Sequence, residues 1–138
     1  MLALARLLAD YADRERCGLV MISPADLELS AGTIVQPDIF VTRRFDGGPP
    51  AEWRAVDSLL LAVEVLSPST ARADRIRKRS YYQRAGIPEY WIVDSDSQVI
   101  ERWRPADERP EIVAGSIEWH PEGVTQPLVI NLETFFTR

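Results

Sequence analysis

Hydrophobic positions recur along the chain with two different spacings, and the change between them predicts the order of the elements. In residues 1–16, leucine and tyrosine return every three or four positions, which predicts an amphipathic helix. The segments 18–23, 25–30 and 33–42 are instead rich in branched and apolar residues and are separated by proline, serine and glycine, as is typical of short strands. The pattern therefore predicts a first helix followed by several strands.

A nearly continuous apolar run at residues 57–67 predicts a central strand covered on both faces, after a loop at 43–52. Ser69 or Thr70 is then expected to cap a helix that ends at Gly86. Further strands are predicted at 89–94, 98–104, 111–120 and 127–133, with a hairpin between the first two. This order predicts one α/β (α+β) domain over residues 1–138.

Composition excludes several classes of protein. The chain has 138 residues with 46% hydrophobic and 27% charged content, which is typical of a globular domain, and it lacks the run of about 18 apolar residues that a membrane helix needs. Its start lacks the features of a secretory signal, so a cytoplasmic location is expected. With a single cysteine, Cys17, and a single histidine, His120, a disulfide, a cysteine or histidine metal cluster and a serine-histidine triad are poorly supported.

Two carboxylates stand at informative positions of the predicted strands. Asp38 begins one strand, and Glu64 stands inside the apolar run, on the predicted face of Leu60, Ala62 and Leu66. A buried carboxylate that stays ionised needs compensation. A divalent cation shared by Asp38 and Glu64 would neutralise both, and such hard oxygen ligands favour magnesium, with manganese as a substitute.

The helix after the central strand carries the next candidates. Asp74, Lys78 and Tyr82 are spaced four residues apart, so they form one stripe along the helix. Lys78 is the only lysine among 16 basic residues, and lysine supplies a compact point charge where arginine supplies a planar fork. An ammonium on the first turns of this helix points back toward the two acids, where it suits the orientation of a water or the stabilisation of a phosphate.

Charge is distributed unevenly along the chain. The net charge of −5 opposes nonspecific coating of nucleic acid, but residues 72–84 carry six basic residues and one acid, a local charge of +5. We interpret this helix as the surface that meets a phosphate backbone, through Arg75 and Arg79, without reading sequence. The alternative is an ordinary solvated helix face.

Each candidate also has a structural interpretation. Asp38 can satisfy backbone groups of a turn, Glu64 can pair with a neighbouring arginine, and Lys78 can form a helical ion pair with Asp74. The joint order of the residues, more than any single one, favours a catalytic site.

That order resembles one nuclease family. The runs "QPD", "EVLSPST", "D-x-x-x-K-x-x-x-Y-x-x-x-G" and "GIPEYWIVD", between about Val35 and Asp94, are similar to the Uma-two family of restriction endonucleases, within the PD-(D/E)XK nuclease superfamily. The resemblance implies a restriction-endonuclease-like mixed β-sheet flanked by helices. It also implies a metal-dependent site that hydrolyses phosphodiester bonds of nucleic acid, with DNA as the expected substrate.

On this resemblance, Asp38 and Glu64 match the metal-binding acids of the family, and the backbone carbonyl of Val65 is expected to complete the ligand set. The usual superfamily position of the catalytic lysine, two residues after the second acid, is Leu66 here. Lys78 matches the lysine that this family places on the following helix.

The remaining helical residues are assigned to the substrate. Arg75, Arg79 and Tyr82 are expected to bind nucleic acid, with Tyr82 at the edge of the site, and Asp74 is expected to support Lys78.

The chain also departs from the family pattern. Family members usually begin with extra strands that include an acidic residue, whereas this sequence starts directly at the helix. An exposed sheet edge would favour pairing with another chain, so a homo-oligomer, most simply a dimer, is expected. Two rivals follow: a catalytically silent module that binds nucleic acid or protein, and an assembly protein whose missing strands come from a partner.

Overall fold

The computed structural model describes residues 2–22, 26–30, 32–43, 59–66 and 72–137, without the side chains of Ser30 and residues 72–74. Ser69 and Thr70, the predicted capping residues, and most of the predicted loop at 43–52 lie outside these ranges. No helix among the described residues is long and apolar enough to cross a membrane. The elements are α1 (Leu2–Glu15), β1 (Leu19–Ile22), β2 (Leu27–Ser30), β3 (Thr33–Val35), β4 (Ile39–Thr42), β5 (Leu59–Val65), α2 (Arg72–Arg84), β6 (Tyr90–Asp94), β7 (Val99–Trp103), β8 (Glu111–Val113), β9 (Ser116–Trp119), β10 (Leu128–Asn131) and α3 (Leu132–Phe136).

A mixed sheet of six strands, in the order β1-β4-β5-β6-β7-β8, lies at the centre of the described structure. The neighbours β5 and β6 run parallel and are connected through α2, while every other neighbouring pair is antiparallel. The predicted fold class, a mixed sheet with flanking helices, is confirmed. The apolar run forms β5, an interior strand of the sheet, as predicted.

Both faces of the sheet are covered. On one face, Leu8 and Tyr11 of α1 pack with Trp119 of the β9–β10 hairpin. On the other, Tyr82 of α2 and Leu29 of the β2–β3 hairpin belong to a second buried cluster. Because both faces of β5 are buried, any charged group on this strand must find its partners inside the protein.

The predicted alternation of β5 holds only in its second half. The register of β4 against β5 shifts between Val41 and Thr42, which leaves Leu60 as an extra residue at a β-bulge. Leu60 therefore packs on the α1 face, and its predicted place on the face of Glu64 was wrong. Beyond the bulge, Ala62 packs on the α2 face, as predicted.

Turn residues divide two segments that were predicted as single strands. Gly115, with φ of +84°, separates β8 at the edge of the large sheet from β9, which pairs with β10 in a sheet of two strands. Pro37, which has no N–H to donate to a ladder, lies between β3 and β4. The helix α3 was not predicted; the side chain of Asn131 caps it by accepting a hydrogen bond from the N–H of Thr134.

Helix α2 ends beside Gly86, as predicted, and the ending fixes the helix on the sheet. Gly86, with φ of +74°, donates its N–H to the carbonyl of Gln83 at 3.0 Å, and Ile87 donates to the carbonyl of Tyr82 at 3.2 Å. This is a Schellman motif, and its two hydrophobic members, Tyr82 and Ile87, lie in the same buried cluster. The last turn is thereby held against the sheet, and Lys78 lies one turn earlier.

Candidate active site between β5 and helix α2

The register of β4 and β5 brings Asp38 and Glu64 together. Ile39 pairs with Val63, so the residue before Ile39 and the residue after Val63 are the next neighbours across the two strands. The Oδ2 atom of Asp38 accepts a hydrogen bond from the backbone N–H of Val65 at 2.7 Å. The side chain of Asp38 thus occupies the end of the ladder, where it is held beside Glu64.

The carboxyl group of Glu64 is buried on the α2 face, with 12% of its side chain exposed. Its Oε2 atom accepts a hydrogen bond from the hydroxyl of Tyr90 at 3.0 Å and lies 3.6 Å from the Nζ atom of Lys78. Burial raises the pKa of Glu64 above its ordinary value, and the charge of Asp38 adds to this rise, while Lys78 and Tyr90 oppose it. One hydrogen bond and one nearby positive charge therefore reduce, without cancelling, the cost of keeping this carboxylate ionised.

Lys78 stands at the boundary between the buried carboxylate and solvent. Its side chain is 35% exposed. The separation of 3.6 Å from Glu64 is longer than the roughly 2.7–2.9 Å of a charged N–H···O hydrogen bond. The ammonium is thus a nearby charge for Glu64 rather than a tightly bound donor. The structure places Lys78 beside the second acid, and the predicted ion pair with Asp74 falls on a side chain outside the described atoms.

Tyr82 lies beneath the site rather than at its edge. It is fully buried, and its ring stacks on the ring of Tyr90 with 4.4 Å between centroids. The expected position at the edge of the site, in contact with nucleic acid, was wrong, because the Schellman ending turns this side of the last turn toward the sheet and leaves Tyr82 fully buried. Burial, followed by the charges of Glu64 and Asp38, raises the pKa of Tyr82 well above its ordinary value, so the phenol stays protonated.

Tyr90 is a site residue that the sequence interpretation missed. It pairs with Ala62 across the parallel strands β5 and β6, which places its side chain diagonally from Glu64 on the same face. The available signal was the tyrosine at the start of an apolar strand that follows a strand with a buried acid. A buried phenol needs a hydrogen-bond partner, and a neighbouring carboxylate supplies one.

Arg75 and Arg79 do not face Glu64. They line a pocket of about 320 Å³ on the same side of the sheet, where the guanidinium of Arg79 lies 4.3 Å from the ring centroid of Trp103. A second pocket, of about 440 Å³, lies on the β2–β3 side of the helix and is lined in part by Gln36 and Lys78. Lys78 is therefore flanked by open space, as a group that meets a substrate must be.

The oxygen atoms at the site suit a hard divalent cation. Asp38 and Glu64 each use one carboxylate oxygen for a protein contact, and no donor among the described residues contacts the other oxygen of either group. The N–H and the carbonyl of one strand residue point to the same side, so the carbonyl of Val65 faces Asp38. The hydroxyl of Tyr82 is buried and has no hydrogen-bond partner within the described part of the chain. Two carboxylates, a carbonyl and waters are ligands that Mg²⁺ accepts.

The described residues contain no group of three histidine, cysteine, aspartate or glutamate side chains that could hold a metal ion. Any cation bound here would depend on the two acids and on backbone or water oxygens.

Comparison with known proteins agrees with this geometry. The model of the family described as "Uma2: Putative restriction endonuclease" matches residues 2–134. This chain belongs to the Uma2 family. The membership predicted from the motifs is confirmed, and it supports a nuclease function with nucleic acid as the substrate. A search of curated proteins finds no match.

A solved structure shares the Uma2 fold of this chain. It is described as "a putative nuclease belonging to DUF820 from Anabaena variabilis ATCC 29413". The TM-score is 0.74 at 17% sequence identity, and the alignment covers 98% of this chain and 76% of that chain. At this identity the likeness shows the fold.

Proposed function

We propose that this Uma2 chain is a metal-dependent endonuclease that hydrolyses phosphodiester bonds of DNA. Asp38, Glu64 and the carbonyl of Val65 would hold Mg²⁺, with Mn²⁺ as a substitute. The observation that carries the proposal is that the Tyr90 hydroxyl donates to one oxygen of a buried carboxylate next to Asp38, while the Lys78 ammonium lies 3.6 Å from the same oxygen. The contacts of Oε2 orient the side chain of Glu64, and its other carboxylate oxygen has no protein donor among the described residues.

Each side chain has a separate task in this site. A divalent cation, when bound, polarises the phosphoryl oxygen and lowers the pKa of water. Glu64 must be ionised to be a ligand, and Lys78 and Tyr90 favour that state because both oppose the rise in its pKa. The ammonium of Lys78 is close enough to steady a water by donating a hydrogen bond and to stabilise negative charge that develops on the phosphate.

The surface around Lys78 is suited to a polyanion. Helix α2 carries six of the 16 basic residues of the chain; Arg75 and Arg79 line one pocket beside the helix, and Arg77 lines the other together with Lys78. Release of counterions from the phosphate backbone would favour binding at this surface in spite of the net charge of −5. We assign the part of α2 that carries Arg75, Lys78 and Arg79 to the substrate, and the opposite face of the sheet, under α1, to stability.

A second candidate is a nuclease-like module that binds nucleic acid without cleaving it. It is favoured by the observation that the described residues offer two ligating side chains rather than three. The substrate assay separates the two candidates. Purified protein with Mg²⁺ or Mn²⁺ should cut plasmid DNA, single-stranded DNA or both, with RNA as the comparison, while a silent module would bind these substrates and leave them intact.

Replacement of Tyr90 by phenylalanine should shift the pH dependence of cleavage. The variant loses the hydroxyl that donates to Glu64, so the pKa of Glu64 rises further and a smaller fraction is ionised at a given pH. The acid limb of the pH–rate profile should move to higher pH, with a loss of about tenfold below neutrality that shrinks as the pH rises. The measurement is the rate of cleavage between about pH 5 and 9.

Tyr11→Phe is the matched control, because it removes another tyrosine hydroxyl bond, to the carbonyl of Gln126, on the opposite face of the sheet. Its acid limb should coincide with that of the wild type. An unshifted limb in Tyr90→Phe would mean that the hydroxyl does not control the ionisation of Glu64.

A further inference from the structure

The pocket that contains Arg75 and Arg79 lies one strand away from Glu64. Ile92, in its wall, pairs with Glu64 across β5 and β6 and with Glu101 across β6 and β7. Neighbouring strands are about 5 Å apart, so the pocket is close enough to receive the base of a nucleotide whose phosphate lies at Glu64. Its volume, about 320 Å³, is at the lower end of the range for small-molecule sites.

Charges of both signs line this pocket without pairing. Arg75 and Arg79 come from the helix and Glu101 from β7, yet no ion pair joins Glu101 to either arginine among the described residues. The Nε atoms of both arginines are buried and have no hydrogen-bond partner within the part of the chain that the structure describes. One oxygen of Glu101 accepts a hydrogen bond from the indole N–H of Trp103 at 2.7 Å, which fixes the carboxylate in the wall. The side chains that line the pocket therefore include two arginines, which can donate hydrogen bonds, on the helix side and a carboxylate, which can accept them, on the sheet side.

A nucleobase fits this arrangement better than a bare phosphate does. A phosphate would satisfy the arginines but would meet the negative charge of Glu101, whereas a base has both acceptors and donors on its edges. Guanine presents the acceptors O6 and N7 on one edge, which arginine recognises in pairs, and an amino donor on another. The apolar side chains of Ile92 and Pro110 in the pocket wall supply contact area for the ring.

We propose that this pocket binds a guanine base of the substrate strand, next to the phosphodiester that is cut. Arg75 and Arg79 donate hydrogen bonds to O6 and N7, and Glu101 accepts from the amino group. This inference rests on the proposed function, because the pocket serves the site only when a nucleic acid strand crosses Glu64. It replaces the expectation that these arginines contact the backbone alone. A base enters such a pocket when it is unstacked, so single-stranded or distorted sites near guanine should be preferred.

The test is direct binding of mononucleotides to the full chain without divalent metal. The N–H resonances of the arginine Nε atoms are followed by NMR while 2′-deoxyguanosine 5′-monophosphate, the other three deoxynucleotides or inorganic phosphate is added. The resonances of Arg75 and Arg79 should shift with the guanine nucleotide at a concentration roughly tenfold lower than with the other nucleotides or phosphate. Glu101→Gln, which keeps an acceptor for Trp103, should lower the preference for guanine by a similar factor.

Arg84→Gln is the control, because Arg84 lies on the same helix, bonds to the Ser80 hydroxyl and does not line the pocket. It should leave guanine binding unchanged. Equal binding of inorganic phosphate and the guanine nucleotide would overturn the proposal in favour of a phosphate site, and so would an unchanged preference in Glu101→Gln. This test does not measure cleavage. Guanine binding by a chain that does not cleave DNA would contradict only the proposed function, and cleavage by a chain without a preference for guanine would contradict only the role of this pocket.

Discussion

Replacing Lys78 by arginine should lower the rate of DNA cleavage by about 10²-fold or more, although the positive charge is kept. The ammonium lies 3.6 Å from Glu64 and is a compact charge that can turn its donors toward a water or a phosphate. A guanidinium at this position is planar and prefers two parallel bonds to one carboxylate, so it would pair with Glu64 and take that carboxylate from the metal. Lys78→Ala should lose about as much activity.

The measurement is single-turnover cleavage at saturating metal, together with thermal unfolding of each variant. Both Lys78 variants should unfold within a few degrees of the wild type, which would separate a loss of chemistry from a loss of fold. The reverse exchange on the same helix, Arg84→Lys, should leave cleavage unchanged. A Lys78→Arg variant that cleaved at the wild-type rate would show that this position needs only positive charge.

Replacing Glu64 by glutamine should stabilise the metal-free protein and abolish its stabilisation by metal. The pKa of Glu64 is raised by burial, so the folded state favours the protonated carboxyl. Stability from this group is fully present below the unfolded pKa, near 4.3, and is lost as the pH rises through the higher folded value. At neutral pH the ionised side chain therefore weakens the fold, and glutamine, which still accepts from Tyr90, removes that cost.

The measurement is thermal unfolding with and without Mg²⁺ or Mn²⁺. Without metal, Glu64→Gln should unfold a few degrees above the wild type at pH 7, and the difference should vanish below about pH 4. At about 100 times the dissociation constant, metal should stabilise the wild type by roughly 2.7 kcal/mol and the variant hardly at all. Glu118→Gln, at an exposed position of β9, is the charge-matched control and should respond to metal as the wild type does. A full metal shift in Glu64→Gln would place the cation elsewhere.

The sequence pattern identified Asp38 and Glu64 as candidate site residues because a charged side chain in an apolar strand region is unfavourable unless it is compensated. Glu64 interrupts the apolar run, and Asp38 directly precedes the strand that proves to be its antiparallel neighbour. The place of Lys78 followed from helical spacing and from its being the only lysine of the chain. Local periodicity and the cost of an unpaired charge marked these residues as candidates, and the resemblance to the Uma2 family supplied their expected roles.

The other contacts depend on how distant segments pair. Tyr90 reaches Glu64 through the parallel register of β5 and β6, and Leu60 changes face at a bulge; neither is a property of local sequence. The burial of Tyr82 follows from the angle at which α2 ends on the sheet. The pocket with Glu101 lies between a helix and a strand that are distant in sequence. The sequence alone therefore did not show that Glu101 lies beside Arg75 and Arg79.

The most direct measurement is cleavage of DNA by the wild-type chain and by Asp38→Ala, purified in parallel, with Mg²⁺ or Mn²⁺ and with a chelator. Asp38 closes the end of the β4–β5 ladder through Val65, and it is one of the two proposed metal-binding side chains. The wild type should cut the substrate when metal is present and stop when the metal is chelated, and Asp38→Ala should not cut under either condition. Equal cleavage by both preparations, or cleavage that persists in the chelator, would contradict a metal-dependent nuclease site at Asp38 and Glu64.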